Sequence, residues 1–398
     1  MANTFEFCGK IVLGKDSEKF HPIDERVFTS GWMSTTLKFN CVSGTNRVSC
    51  MTQGGKWKDD KKNVVKTFSK STKDANGNVT KGTMIEIPWD KRFDKDQIDK
   101  VAGFKKFVVD TGDSKMRYKL QDIIKAFENG KVTDEMMEEI GIFELEDAKQ
   151  ELEKSMAKKK EFLTEWDFVE HLIKVAKADK FKNKLFKISG NYDISYNADK
   201  DTFYRNYHVN RVALVDDNAE QKTELNVNFY YDENCWDDSV YDVSGKCIVN
   251  GWVSYYDNNL KKIGFANLPV AIRGDEELFE WLKYNVFTCG EGIKEIGLVL
   301  SVIDGAEFVE ITMETLDEAT RKMIEIGVMK FEAVKKARGG KNVGNTVREI
   351  RFETIDPNKA DPHDTDYTID DMHPAREDII EKKEDDDGLI NFNDDDEL

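Results

Sequence analysis

Between Lys184 and Ile272 five short segments alternate apolar and polar residues and are separated by polar turns: KLFKISGNYDISY, DTFYRNYHVNRVALV, ELNVNFYY, KCIVNGWVSYY and KKIGFANLPVAI. A period of two sends successive side chains to opposite faces of a strand. Five such strands in about 90 residues suit a small closed or partly closed barrel better than a sandwich of seven or more strands.

The first third carries the same signature. Phe5, Phe7, Ile11 and Leu13 keep one parity across FEFCGKIVL, and Leu37, Phe39 and Cys41 do so in TTLKFNC. SGTN then turns the chain into RVSCM, where Val48 and Cys50 share a face, so a hairpin is expected. A long lysine-rich loop with turn signals at Gly54-Gly55 and Asn76-Gly77 leads into MIEIPW, and FKKFVV (104–109) reads as a further strand. In YKLQDIIKAFENG, Leu120, Ile123, Ile124 and Phe127 recur at helical spacing and Gly130 is placed as the stop.

Residues 131–183 are polar and helical in pattern, with Thr164 as N-cap, Asp167 three residues on, and an apolar stripe of Phe168, Leu172 and Val175. After the barrel candidate come a helix at DEELFEWLKYNVF, a strand running through IGLVLSVI and then FVEIT, and one long helix at LDEATRKMIEIGVMKFEAVKKARGG. From about residue 355 large apolar residues thin out, and disorder is expected. The chain is thus expected to be α+β and β-rich. A basic domain spans 1–130, a helical connector 131–183, a second β-rich domain 184–354, and an acidic disordered tail 355–398.

Composition narrows the function. With 39% hydrophobic and 34% charged residues among 398, and no apolar run long enough to span a bilayer, the sequence is that of a soluble protein. No signal peptide opens it, so the cytoplasm is the expected compartment. Six cysteines without a CxxC, and no histidine at zinc-finger spacing, point to neither a disulfide framework nor a zinc site. No HExxH, GxSxG or phosphate-loop motif is present, and GGKNVGNT (339–346) follows a helix where a phosphate loop follows a strand. Neither an enzyme nor a cofactor or metal is expected.

The net charge of -18 is unevenly spread: about +7 over 1–130, about -12 over 131–354 and about -13 over 355–398. Single-stranded nucleic acid is held by cations that follow phosphates and by rings on which bases stack. The two coincide twice. Trp57 sits between Lys56 and Lys58 with Lys61 and Lys62 following, and Trp89 precedes Lys91 and Arg92. Tyr204 and Tyr207 bracket Arg205, with Arg211 downstream and Tyr255 and Tyr256 ending another strand; parity favours Tyr207 outward beside Arg205. A solvated loop is the bland alternative for the lysine run. Trp32, Trp166, Trp252 and Trp281 read as core.

The phrase KLFKISGNYDISYNADKDTFYRNYHVNRVALV, the basic β-rich half before it and the closing EDDDGLINFNDDDEL together resemble the bacteriophage single-stranded DNA-binding proteins built on tandem OB folds. The resemblance implies two OB-like small β-barrel modules and sequence-tolerant single-stranded DNA binding in replication, recombination or repair. It also implies an acidic tail that competes with DNA and recruits partner proteins through Phe392, Asp394, Asp395, Asp396, Glu397 and Leu398. Bacterial relatives of such tails end on an aromatic residue, whereas this chain ends on Leu398. A single-stranded RNA-binding protein of the same plan, an acidic DNA mimic, and a non-enzymatic virion or assembly protein that self-associates are the alternatives.

Overall fold

The computed structural model describes residues 3–73, 77–310, 312–313, 316–337 and 341–376. Its first four strands are β1 (Thr4–Leu13), β2 (Ile23–Val27), β3 (Trp32–Ser43) and β4 (Asn46–Trp57). Alternation works as expected here: Phe5 and Phe7 of β1, Leu37, Phe39 and Cys41 of β3, and Val48 and Cys50 of β4 all point into one core.

A long insertion follows. It holds β5 (Val64–Phe68), β6 (Thr72–Lys73), β7 (Val79–Thr80), β8 (Met84–Pro88), α1 (Lys95–Lys100) and β9 (Phe107–Asp110). Next come α2 (Ser114–Glu128), α3 (Asp134–Ile140), α4 (Leu145–Met156), β10 (Lys159–Phe162) and α5 (Glu165–Lys177). The supposed connector therefore contains a strand, and FKKFVV is a strand only from Phe107 onward.

The chain then returns through β11 (Leu185–Asn197) and β12 (Thr202–Leu214) to the strands it left. β1 pairs with β3 and β11, β3 with β4, β11 with β12, and β12 runs parallel to β4, so five strands form a closed circuit. This circuit joins residues on both sides of the expected boundaries at 130 and 183. Helix α5 lies against it, capped by Thr164, which accepts from the Asp167 amide, and it buries Trp166, Phe168, Val169, Leu172 and Val175. Gly54 makes that contact possible, because a Cβ there would meet the Trp166 backbone at 2.4 Å.

The remaining elements are β13 (Lys222–Tyr231), β14 (Trp236–Asp237), α6 (Tyr241–Ser244), β15 (Lys246–Val249), β16 (Trp252–Asp257), β17 (Lys262–Asn267) and β18 (Val270–Arg273). They end with α7 (Glu276–Asn285), β19 (Lys294–Glu310), α8 (Glu318–Glu325), α9 (Phe331–Ala337), β20 (Lys341–Ile355) and β21 (His363–Asp364). A second circuit runs β13, β16 with β15, β17 with β18, β20 and β19, then back to β13. β1 also pairs with β13, and a single apolar core runs through both circuits from Phe5 to Leu300.

Two expectations fail for local reasons. The long helix after residue 316 is two helices, because Gly327 at φ 78° takes the left-handed conformation that ends α8. The disorder expected from residue 355 does not hold for 355–376. His363 and Asp364 pair with β19, Tyr367 packs its ring 4.9 Å from that of Phe265, and the buried Ala375 donates its amide to the Tyr255 hydroxyl. Few apolar residues suffice there, because Tyr367 and Met372 pack on Tyr230, Phe265 and Ile293. Residues 377–398, with the partner-binding positions Phe392 and Asp394 to Leu398, lie outside the described residues.

Candidate nucleic-acid interface

The end of β4 presents Gly55 and Trp57 on its outward face. A Cβ on Gly55 would lie 2.2 Å from the Trp32 ring, so the missing side chain lets that indole lie across the strand. Trp32 and Trp57 then meet edge to face at 5.2 Å. Trp57 is held from behind by Asn63, whose Oδ1 accepts from the Trp57 amide at 2.8 Å and whose Nδ2 donates to its carbonyl at 2.9 Å. A short turn, Asp60–Lys62, bridges the two and places the Lys62 Nζ 5.6 Å from the Trp57 ring.

Three further walls enclose a groove of about 570 Å³. The hairpin of β5 and β8 contributes Lys66, and Trp89 follows it. The turn Gly103–Lys105 contributes Phe104, 77% exposed, and Lys105, whose Nζ lies 5.5 Å and 5.7 Å from the Phe68 and Phe104 rings. The outward faces of β11 and β12 supply Asn191, His208 and Asn210. Among the described residues neither Lys62 nor Lys105 has a carboxylate within salt-bridge distance, whereas Lys66 faces Glu86 at 3.2 Å and Lys106 faces Glu161 at 2.7 Å. Glu161, despite its burial, is held below the ordinary carboxylate range by Lys106 and Lys159.

The residues singled out from sequence are thus sorted by the fold. Trp57, Lys62 and Trp89 line the groove, and Lys58, Lys61 and Lys91 stand exposed on the turns beside Trp57 and Trp89. Lys56 has the opposite parity to Trp57 and packs its Nζ 5.1 Å from the Trp166 ring, on the α5 side. Arg92 is occupied: it donates twice to Asp167, at 2.7 and 3.2 Å, while its guanidinium stacks 3.9 Å from the Trp89 ring. Arg211 donates to the Gly103 carbonyl at 2.6 Å and so anchors the turn carrying Phe104.

Tyr207 is a correction. Its ring points inward among Phe5, Phe7 and Tyr192, and the outward tyrosine is Tyr204, 43% exposed on β12 away from the groove. Arg205 donates to the Asn267 carbonyl at 2.7 Å. Tyr255 is buried and Tyr256 is the exposed member of that pair. Trp32 lines the groove and Trp281 is exposed, so neither is a core residue. Trp32, Phe104, Lys105 and His208 were missed; GFKKF, an aromatic beside two lysines, has the same local pattern as GKWK and could have flagged Phe104.

His208 sits at the groove floor with Nε2 3.6 Å from Glu165 and Nδ1 3.9 Å from Asp193, and its side chain is 20% exposed. Burial opposes its charge, but the facing Glu165 and Asp193 carboxylates outweigh this and raise its pKa above the ordinary histidine value. A raised folded pKa means that the protonated form's stabilisation is complete below the unfolded value, about 6.5, and is lost as pH rises through the folded one. Protonation also offsets Glu165, which lines the groove, and Asp193 beside the ring. Strand binding should therefore weaken as pH rises through that interval, and the step should vanish in His208→Asn. Titrations across the neutral range check this, and an unchanged step in the variant would assign it elsewhere.

No family model matches the sequence, and no curated protein matches it. Among solved structures, a deletion mutant of the single-stranded DNA binding protein from Thermus aquaticus aligns with 76% of this chain and 87% of that chain, at 9% identity and a TM-score of 0.28. At that score the likeness is not evidence of a shared role. Among the described residues no helix is long and apolar enough to cross a membrane.

Proposed function

We propose that the groove holds single-stranded DNA without strict sequence preference. One observation supports this above the rest: four rings, those of Trp32, Trp57, Trp89 and Phe104, open into a single cleft that Lys62 and Lys105 also border. Every base has a face to stack and every nucleotide a phosphate, so rings interleaved with cations bind a strand whatever its sequence. The two strand circuits fit an OB-like reading. In each, the first, second and third strands are sequential neighbours, the third runs parallel to the fifth, and the fourth closes on the first.

The protein then acts by coating unpaired DNA in a bacteriophage-infected host cell during replication, recombination or repair. Its acidic end is read as a competitor for the groove and as a recruiter of partner proteins. Arg376, the last described residue, accepts a hydrogen bond from Lys262 at its carbonyl, which ties the end of the described chain to the second circuit.

Titration of labelled oligo(dT) at two salt concentrations tests the reading. Each phosphate neutralised on a single strand contributes a slope of about -0.7 in log K against log salt, so two to four lysines predict about -1.5 to -3. Tight binding with that slope is expected, and a chain ending at Arg376 should bind more tightly at low salt. No saturable binding at low salt would overturn the proposal.

A further inference from the structure

A second opening lies where the first circuit is loosely closed. β4 and β12 pair only at Cys50 with Tyr207 and Met51 with His208. Beyond this point β4 leaves its neighbour, and its Asn46 pairs instead with Gly305 of β19. The gap opens into a cleft of about 690 Å³ bordered by β4, β12, β15 and β20.

Its floor is aromatic. Tyr192 and Tyr207 stack there at 5.3 Å with 26° between planes, and the edges of Phe5 and Phe7 hold Tyr207 from beneath. Its rim carries paired charges, with Arg348 the most exposed of them. Lys246 is tied to Glu349 at 2.9 Å, and Arg348, its side chain 80% exposed, faces Asp304 at 2.9 Å. Among the described residues nothing hydrogen-bonds the Tyr207 hydroxyl. Burial above all holds its proton in place, so it stays a donor.

The outward face of β4 links this cleft to the Trp57 groove. Gly55, Gln53, Met51 and Ser49 share the parity of Trp57, and the eight residue steps from Ser49 to Trp57 span about 26 Å. A strand laid along that face passes from one opening to the other.

We propose that the cleft takes one nucleobase of the bound strand, turned edge-in against Tyr207, with its flanking phosphate on Arg348. The proposal rests on the reading of the Trp57 groove as the main track. The Tyr207 hydroxyl suits a base acceptor, a carbonyl oxygen or ring nitrogen, and the tyrosine floor supplies the apolar contact.

The test uses the full chain with three variants: Ser49→Trp to plug the mouth, Arg348→Glu to reverse an exposed cation without threatening the fold, and Tyr207→Phe to remove the hydroxyl alone. Each is titrated with oligo(dT) of about 4 and about 16 nucleotides, lengths that bracket the range held by one OB fold. The first two should weaken the longer oligomer about tenfold, and Tyr207→Phe a few-fold, while the shorter one, confined to the Trp57 groove, is unaffected. Wild-type affinity for the longer oligomer in both Ser49→Trp and Arg348→Glu overturns the cleft proposal, and so does an equal loss at both lengths. Trp57→Ala separates the two readings. If it alone loses binding, the groove stands and the cleft falls; if it changes neither length, the groove reading fails and takes the cleft with it.

Discussion

Trp57→Ala will weaken oligo(dT) binding by about 5- to 150-fold, the equivalent of about 1–3 kcal/mol for one stacked base. The effect is expected to be clean because Trp57 contributes little to the core. Its backbone is held by Asn63 whatever the side chain, and its ring is half-exposed against Trp32 and Lys62. Trp57→Phe should recover most of the affinity, since a smaller ring still offers a face. Fluorescence anisotropy at fixed salt measures the loss. Equal affinity in wild type and Trp57→Ala would remove the groove from consideration.

Glu349→Ala will destabilise the fold by about 2–3 kcal/mol, below the 3–5 kcal/mol typical of a broken buried pair. Glu349 on β20 is 8% exposed and gathers Lys246 at 2.9 Å, Arg273 at 3.2 Å and Arg351 at 2.6 Å. Alanine leaves the three cations without their common carboxylate. Because each of them is a quarter to a third exposed, water recovers part of the loss. Burial works against the charge on Glu349, yet hydrogen bonds from Lys246 and Arg351 and the nearby Arg273 bring its pKa down to about 2. A depressed folded value places the pair's contribution above the unfolded pKa, about 4.3, and removes it as pH falls towards about 2. Urea unfolding at neutral and acid pH should show the variant's deficit shrinking in acid. A deficit that is constant with pH would mean that Glu349 acts through packing rather than charge.

Much of the local structure was legible in the sequence, because strand and helix periods are short-range properties. Phe5 and Phe7, the hairpin around Gly44, and α5 with its Thr164 cap each follow from a few neighbouring residues. The candidate site was only half legible. Trp57 and Lys62 were found because ring and cation adjoin in sequence, but Phe104 and Trp32 reach the same groove from distant segments. Parity also misled at Tyr207: the alternation was read correctly, but which face of β12 is inside depends on Phe5 and Phe7, some two hundred residues earlier.

What the sequence determined by itself was its β-rich α+β character, the alternating faces of its strands, and a basic first third set against an acidic end. Tertiary structure decided how the strands close. β11 and β12 return across an insertion of more than a hundred residues to complete a circuit begun by β1, β3 and β4, so the expected domain boundaries cut through one core. It also decided which cations are spent within the fold, as Arg92 and Arg211 are, and which border the groove with no carboxylate partner among the described residues, as Lys62 and Lys105 do. The reason is one of range. Hydrophobic period is encoded residue by residue, whereas pairing partners and the carboxylates that neutralise cations are chosen across the whole chain by whatever buries the shared apolar face.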